Sequence, residues 1–228
     1  MDKNFKTRLI VGISLFVVAV VGFYTFDSIP FKFAYTLFGL VAGVEVLSFL
    51  QRKHDFKRFL LVIVELGFLY CGTLFVLRID AAHFWYIILG VPGYDVFAYL
   101  FGKRFGGKIF GKSRPFPRIS KNKTWEGTLF GLLIATSLVA LLMAFRFSFS
   151  TDWMFLLCGP LALCGDLFES YLKRQFGVKD SNEVVIKNPV FKKIEVLVGG
   201  TGGHGGYLDR IDSTALTASV LLVIECFI

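Results

Sequence analysis

The chain has 228 residues, of which 55% are hydrophobic and 17% aromatic, while only 18% are charged. This composition excludes an ordinary soluble domain, which would carry more charge and shorter apolar runs. The net charge of +8 would suggest nucleic acid in a soluble protein, but here the cations lie between long apolar blocks. We therefore predict a membrane protein with no nucleic-acid partner.

The apolar blocks are close to 20 residues long, the length that a helix needs to cross about 30 Å of hydrocarbon. A backbone in lipid has to satisfy its own hydrogen bonds, so such blocks predict an all-α, polytopic helical bundle. In chain order the predicted transmembrane helices, about seven, cover residues 9–26, 31–50, 59–77, 82–101, 127–145, 153–172 and 212–228. The first is interpreted as a retained helix, since no small-residue cleavage site follows it. No linker divides the chain, so we expect one membrane domain over residues 1–228.

Lys and Arg are distributed very unevenly between the two sides that seven spans define. The N-terminus and residues 51–58, 102–126 and 173–211 together hold 22 of the 25 Lys and Arg residues. Cytoplasmic loops carry an excess of these cations. We therefore expect the N-terminus and both long polar segments to face the cytoplasm. In a bacterium this would be an inner-membrane protein with both long polar segments on the cytoplasmic side.

Glu45 and Glu65 lie alone in their spans, and we interpret both as structural. The four cysteines fall within or beside apolar blocks and form no CxxC pair, so packing is their expected role and no disulfide or zinc site is predicted.

The first polar cluster lies where the fourth span ends and the fifth begins. Asp95 starts the run Asp-Val-Phe-Ala-Tyr, and Asn122, Lys123, Thr124 and Glu126 precede or open the fifth span. Lys, Asn and Thr on a loop can hold phosphate groups and base edges. The alternative is that this basic loop serves only to anchor the topology.

The second cluster lies in the sixth span, where Asp166, Glu169, Ser170 and Lys173 are spaced at i, i+3, i+4 and i+7 and so share one helical face. A central carboxylate costs roughly 2.5–3.5 kcal/mol on insertion scales, so Asp166 is a functional candidate. The alternative is a salt-bridged helix end, with Lys173 and Arg174 extending to the membrane interface.

The third cluster begins with six glycines in the eight residues 199–206. Such a backbone can approach a ligand closely and turn its N–H groups toward phosphate. Asp209 and Asp212 follow at i and i+3, and carboxylates so placed suit Mg²⁺, which binds through a few carboxylates and substrate phosphates. The alternative is a flexible loop with Asp212 as helix N-cap, which leaves His204 and Arg210 unexplained.

Together these motifs, over residues 95–213, resemble the phosphatidate cytidylyltransferase (CDP-diacylglycerol synthase) family. The family signature reads Ser-x-x-Lys-Arg, Lys-Asp, His-Gly-Gly and Asp-Arg-x-Asp. Its residues here are Ser170, Lys173, Arg174, Lys179, Asp180, His204, Gly205, Gly206, Asp209, Arg210 and Asp212. The upstream Asp-x-Phe-Ala-Tyr and Asn-Lys-Thr-Trp-Glu-Gly elements also look like the family. The chain departs from it in the 23 residues between Asp180 and His204, where family members usually have a short run.

The resemblance implies that phosphatidate, or a related phospholipid, attacks the α-phosphorus of CTP and releases pyrophosphate. The catalytic residues would be Asp166, Ser170, Lys173, Arg174, Asp209, Arg210 and Asp212. The substrate-binding residues would be Asn122, Lys123, Thr124, Glu126, Lys179, Asp180, His204, Gly205 and Gly206. Asp166, Asp209 and Asp212 are the predicted ligands of Mg²⁺, and the site leaves room for a second cation. The family also implies a homodimer.

Three other interpretations stay open at this stage. A polyprenol or phytol kinase, or a synthase of archaeal CDP-lipids, would also use CTP at a membrane. A transporter would line its pathway with Asp95, Asp166 and Glu169, but the chain shows no inverted repeat and its polar clusters lie on one side. The third is a relative without activity, which the long insertion suggests.

Overall fold

The computed structural model of the chain describes residues 29–51, 55–111, 113–146, 152–178 and 208–227. Regular structure within these residues is helical throughout, with no β-strand. The helices, labelled in chain order, are α1 (Ile29–Ser48), α2 (Phe56–Arg78), α3 (Ala81–Phe105), α4 (Trp125–Arg146), α5 (Cys158–Gln175) and α6 (Leu208–Phe227). Short 3₁₀ segments, Phe49–Gln51 and Trp153–Leu157, follow α1 and precede α5.

The apolar blocks predicted from residue 31 onward each coincide with one of these helices to within a few residues. Four segments of the described chain are long and apolar enough to cross a membrane, namely Phe56–Arg78, His83–Phe105, Trp125–Phe145 and Trp153–Gln175. The span predicted at residues 9–26 lies outside the described residues. The prediction of an all-helical integral membrane protein is therefore confirmed for the described part. All four cysteines are free.

Small residues bring α3 and α4 into backbone contact. Gly127 and Gly131 of α4 face Ala98 and Gly102 of α3. A Cβ at Gly131 would lie 2.9 Å from the Ala98 Cβ, and one at Gly127 would lie 2.5 Å from the Ala98 carbonyl oxygen. Helices in lipid associate through close packing of this kind, with small residues four apart. The contact holds the polar C-terminal end of α3 against the start of α4.

Helix α6 is the central helix of the described bundle, since ten of its 20 residues are buried. It crosses α5 so closely that a Cβ at Gly165 would lie 2.6 Å from the Ser213 Cα. Its first turn is held by Glu45 of α1, whose Oε2 accepts a hydrogen bond from the Leu208 backbone N–H at 2.9 Å. This carboxylate satisfies a helix N-terminal donor that would otherwise be buried without a partner. The structural interpretation of Glu45 agrees with this contact.

We expect Gly72→Ala to destabilise the protein, with Gly67→Ala on the same helix as the matched control. A Cβ at Gly72 would lie 2.6 Å from the Ala215 carbonyl oxygen, whereas nothing lies within 4 Å of a Cβ at Gly67. Overpacking of this kind costs roughly 1–3 kcal/mol, while Ala is favoured over Gly in a helix by about 1 kcal/mol. Thermal unfolding in detergent, followed by circular dichroism, should show a lower midpoint for Gly72→Ala alone. Equal midpoints for both variants would contradict the α2–α6 contact.

Candidate active site

Charged side chains gather at both ends of the helical bundle. At one end, His83 at the start of α3 lies 2.7 Å from Asp80 and 3.2 Å from Asp152, measured from ring nitrogen to carboxylate oxygen. At the other end, the C-terminal ends of α3 and α5 meet the N-terminal ends of α4 and α6. All the described residues that the sequence marked as candidate site residues lie at this second end, which we call the polar end.

A cleft of about 520 Å³ opens at the polar end, within the size range of pockets that take small ligands. Its walls combine carboxylates from two helices with cations from the α3 terminus and the following loop. The charged residues that line it are Asp95, Lys103, Arg114, Lys123 and Asp166. Predicted substrate-binding residues Asn122, Lys123 and Thr124 all lie in its wall. The cleft therefore offers both signs of charge to one ligand.

Lys123 is the cation that joins the loop to the helices. Its Nζ forms an ion pair with the Asp166 carboxylate, lies 5.4 Å from the Tyr94 ring centroid and is 3.4 Å from the Tyr94 hydroxyl oxygen. Burial lowers the pKa of the Lys123 ammonium, but the neighbouring Asp166 and Tyr94 raise it more, so the pKa ends above its ordinary value. Lys123 therefore stays charged at neutral pH.

Lys173 makes the second link, between α5 and α6. Its Nζ lies 2.7 Å from Glu169 Oε2 and 2.8 Å from Asp209 Oδ1. The predicted salt bridge along the helix is thus present, but the Lys173 side chain is only 11% exposed and does not extend to an interface. The neighbouring Arg174 is exposed and donates to the Val178 carbonyl oxygen at 3.2 Å.

Asp212 lies inside α6 and is only 8% exposed. The alternative that it caps this helix is wrong, because the helix already begins at Leu208. Helices α5 and α6 touch at Gly165 and Ser213, which are the chain neighbours of Asp166 and Asp212. The Asp212 carboxylate therefore lies within electrostatic range of Asp166.

Other polar groups complete this acidic cluster. Asp95 interacts electrostatically with both Asp166 and Asp212, and Asp209 also acts on Asp212. The Ser170 hydroxyl donates to Asp166 Oδ1 at 3.4 Å. The fold therefore brings carboxylates from α3, α5 and α6 together at the polar end.

The donor chemistry of this cluster fits Mg²⁺, a hard cation that prefers oxygen ligands. No group of three or more His, Cys, Asp or Glu residues in the described part of the chain is arranged as a ready-made metal cage. Mg²⁺ does not require one, because it is usually bound by one or two carboxylates together with waters and substrate phosphates. The residues therefore fit a metal ion that carboxylates would hold together with waters and the phosphate groups of a ligand.

Glu126 is predicted to bind substrate, and its contacts in the structure are with the backbone of the loop. It is absent from the wall of the cleft and is almost fully buried. Its Oε1 accepts hydrogen bonds from the backbone N–H groups of Ile109 and Phe110, both at 3.0 Å. Thr124 has two roles. It lines the cleft, and its Oγ1 accepts a hydrogen bond from the Gly127 backbone N–H at 3.0 Å. Glu126 therefore orders the loop that carries cleft residues.

The other predicted residues fall into two groups. Arg210 is exposed on the first turn of α6. Five other predicted site residues lie outside the described residues, namely Lys179, Asp180, His204, Gly205 and Gly206. Tyr94 and Arg114 also line the cleft, although neither is among the residues predicted from the sequence. Tyr94 directly precedes Asp95, and this adjacency was the one available signal. Arg114 carries no local signal, since it is one of eight cations in residues 102–126.

Fold and site together define a polytopic helical membrane protein with an ionic cleft at one end of its bundle. Residues 77–186 match the family model described as the cytidylyltransferase family. The chain is 32% identical to a phosphatidate cytidylyltransferase of Rickettsia bellii (strain RML369-C), over 98% of this chain and 91% of that relative. It is 30% identical to one of Aquifex aeolicus (strain VF5), over 87% and 69% of the two chains. The chain belongs to the phosphatidate cytidylyltransferase family. The family and the nucleotidyltransferase class predicted from the motifs are thereby confirmed.

Proposed function

We propose that this chain transfers the cytidylyl group of CTP to phosphatidate, giving CDP-diacylglycerol and pyrophosphate for phospholipid synthesis. The observation that carries the proposal is the ion pair between Lys123 and Asp166 in the wall of the cleft. It joins the Asn-Lys-Thr element to the α5 cluster that begins at Asp166, and the two are distant in sequence. Relatives that align with almost the whole chain bear the name phosphatidate cytidylyltransferase.

We also propose seven spans with a cytoplasmic N-terminus, and an active site at the inner boundary of a bacterial inner membrane. The excess of Lys and Arg on one predicted side supports this orientation. The described helices are consistent with it, because the loop after α3 and the start of α6 lie at the same end of the bundle. A lipid head group and a water-soluble nucleotide can meet only at such a boundary. A homodimer is proposed from the family resemblance.

The chemistry needs no general base. A phosphate monoester has a second pKa of about 6, so the phosphatidate head group is largely a dianion at neutral pH and can attack directly. The reaction then depends on positioning and on stabilising the negative charge that develops on the leaving pyrophosphate. We propose that Lys103, Arg114 and Lys123 supply positive charge within the cleft, and that Asn122 and Thr124 help to hold CTP.

We propose that Asp166, Asp209 and Asp212 hold Mg²⁺, which would neutralise phosphate charge and orient the triphosphate. Lys123 and Lys173 position two of these carboxylates through the ion pairs described above. We propose phosphate contacts for Ser170, Lys173, Arg174 and Arg210. Substrate binding is proposed for Lys179, Asp180, His204, Gly205 and Gly206. The Arg174 contact to the Val178 carbonyl gives it an additional role in ordering the chain after α5.

The fate of each CTP phosphate tests this function. Purified protein would be incubated with Mg²⁺, phosphatidate and CTP labelled in the α-phosphate or, in parallel, the γ-phosphate. We expect the α-label in the lipid product and the γ-label in released pyrophosphate. A lipid kinase would give the reverse pattern, with γ-label in the lipid and CDP as the other product. That pattern would replace the proposed function with a CTP-dependent lipid kinase.

A further inference from the structure

The last turn of α3 and the segment that joins it to α4 have an unusual composition. Residues 103–124, which we call the basic loop, contain eight Lys and Arg residues and no Asp or Glu. The loop also exposes three large apolar side chains, Phe105 at 37%, Ile109 at 55% and Phe110 at 49%. Because both adjoining helices are long and apolar enough to cross a membrane, the loop lies at the membrane boundary.

The apolar tip of the basic loop is held in place by specific contacts. Gly107 and Gly111 take up φ values of 79° and 76°, a backbone region that suits glycine. Between them, the N–H groups of Ile109 and Phe110 both donate to the buried Glu126 carboxylate. Their N–H groups are held toward Glu126, and their side chains are exposed on the surface of the loop. The exposure of two large apolar groups is thus built into the loop.

Exposed cations lie in the same loop as this apolar tip. Lys108, Arg114 and Arg118 are exposed, and none of the ion pairs formed among the described residues includes them. Trp125, which follows the loop, is 38% exposed, as expected for a residue at a membrane interface. Exposed apolar groups among unpaired cations match an anionic lipid surface, which offers apolar chains and negative head groups together.

We propose that the basic loop binds anionic phospholipid head groups of the surrounding leaflet, with Ile109 and Phe110 inserted between them. Arg114 belongs both to this loop and to the wall of the cleft, so the lipid-binding surface is continuous with the site. The loop would thereby concentrate anionic lipid beside the cleft, a consequence that rests on the proposed function. The binding itself does not depend on catalysis.

Photo-crosslinking tests the binding directly. Benzoylphenylalanine would replace Phe110 in the otherwise native chain, and Lys121, an exposed position in the same loop, would carry it in the control. The protein would be irradiated in nanodiscs that contain equal amounts of phosphatidylcholine and phosphatidylglycerol. We expect lipid adducts at position 110 in which phosphatidylglycerol outnumbers phosphatidylcholine several-fold, and few adducts at position 121. The double variant Lys108→Gln/Arg118→Gln should lose the enrichment.

Two results would overturn the proposal. The adducts at position 110 could match the bulk lipid ratio, or a crosslinked dimer could form there instead, which would show that a second copy covers the tip. Turnover of the same protein, measured in matched nanodiscs that also contain phosphatidate and are supplied with CTP and Mg²⁺, separates this proposal from the proposed function. Phosphatidylglycerol enrichment without CTP turnover would support lipid binding and contradict the enzyme assignment. Turnover without enrichment would do the opposite.

Discussion

Asp212→Asn is expected to abolish CTP-dependent turnover while leaving the protein folded in the membrane and at least as stable as the unaltered chain. The carboxylate is buried in α6 within electrostatic range of Asp166 and Asp209. It also acts on Glu65, another buried carboxylate. Asparagine keeps the shape of the side chain and removes both the cost of burying a charge and the repulsion from Asp166, which together outweigh the lost attraction to Lys173. A proposed metal ligand disappears at the same time, and losing several kcal/mol of charge stabilisation lowers turnover by about a thousandfold or more.

Pyrophosphate release and thermal unfolding, measured on the same preparation, check this prediction. Glu225→Gln is the matched control, because it removes an exposed carboxylate at the opposite end of the same helix. The double variant Asp209→Ala/Asp212→Ala should be inserted and inactive. Near-normal activity in that double variant would refute the metal assignment. A large drop in stability for Asp212→Asn would instead point to a structural role.

Lys123→Met should lower turnover by about 10²–10³-fold, the loss typical of removing one preorganised group that stabilises developing charge. Lys123 lines the cleft and pairs with Asp166, so the substitution removes a cation and leaves a carboxylate uncompensated. Lys121→Met, in the same loop but outside the wall of the cleft, is the control and should retain full turnover. We expect the effect mainly on kcat, because the charge on pyrophosphate develops as the bond breaks.

The pH dependence adds a second readout for Lys123. Its pKa lies above the ordinary lysine value, so the ion pair is fully formed below that ordinary value. The ion pair stabilises the folded protein until the pH rises through the pKa that Lys123 has in the folded state, which is the higher of the two values. The unaltered protein should therefore show no titration of this group in the neutral range, in either stability or turnover. Equal turnover of Lys123→Met and Lys121→Met would remove Lys123 from the proposed mechanism.

The positions of the described helices could be predicted because span length and apolarity are local properties of the sequence. Two helix ends could not. Helix α3 continues to Phe105 beyond the predicted end at residue 101, because Lys103 and Arg104 suit the last turn of a helix even though they end the apolar block. Helix α6 begins at Leu208 because Glu45, 163 residues away, accepts its first N–H. A contact that distant leaves no local pattern.

The composition of the candidate site was predictable only in part. The motif residues Asn122, Lys123 and Thr124 lie in the cleft wall as expected for a binding site. Glu126 belongs to the same motif, yet it holds the backbone of the loop. The motif identifies residues that a family requires, but it does not distinguish a residue that touches a ligand from one that orders its neighbours. That distinction depends on the direction of each side chain in the folded chain.

The sequence by itself determined the membrane character of this protein, the location of its apolar helices and its family. These follow from the lengths of apolar blocks and from motifs in a particular order, which are both properties of the linear chain. Only the tertiary structure decided which charges meet, as in Lys123 with Asp166 and Lys173 with Asp209. The physical reason is that Coulomb energy depends on distance. Those distances are decided by where the helices touch, at contacts such as Gly165 against Ser213.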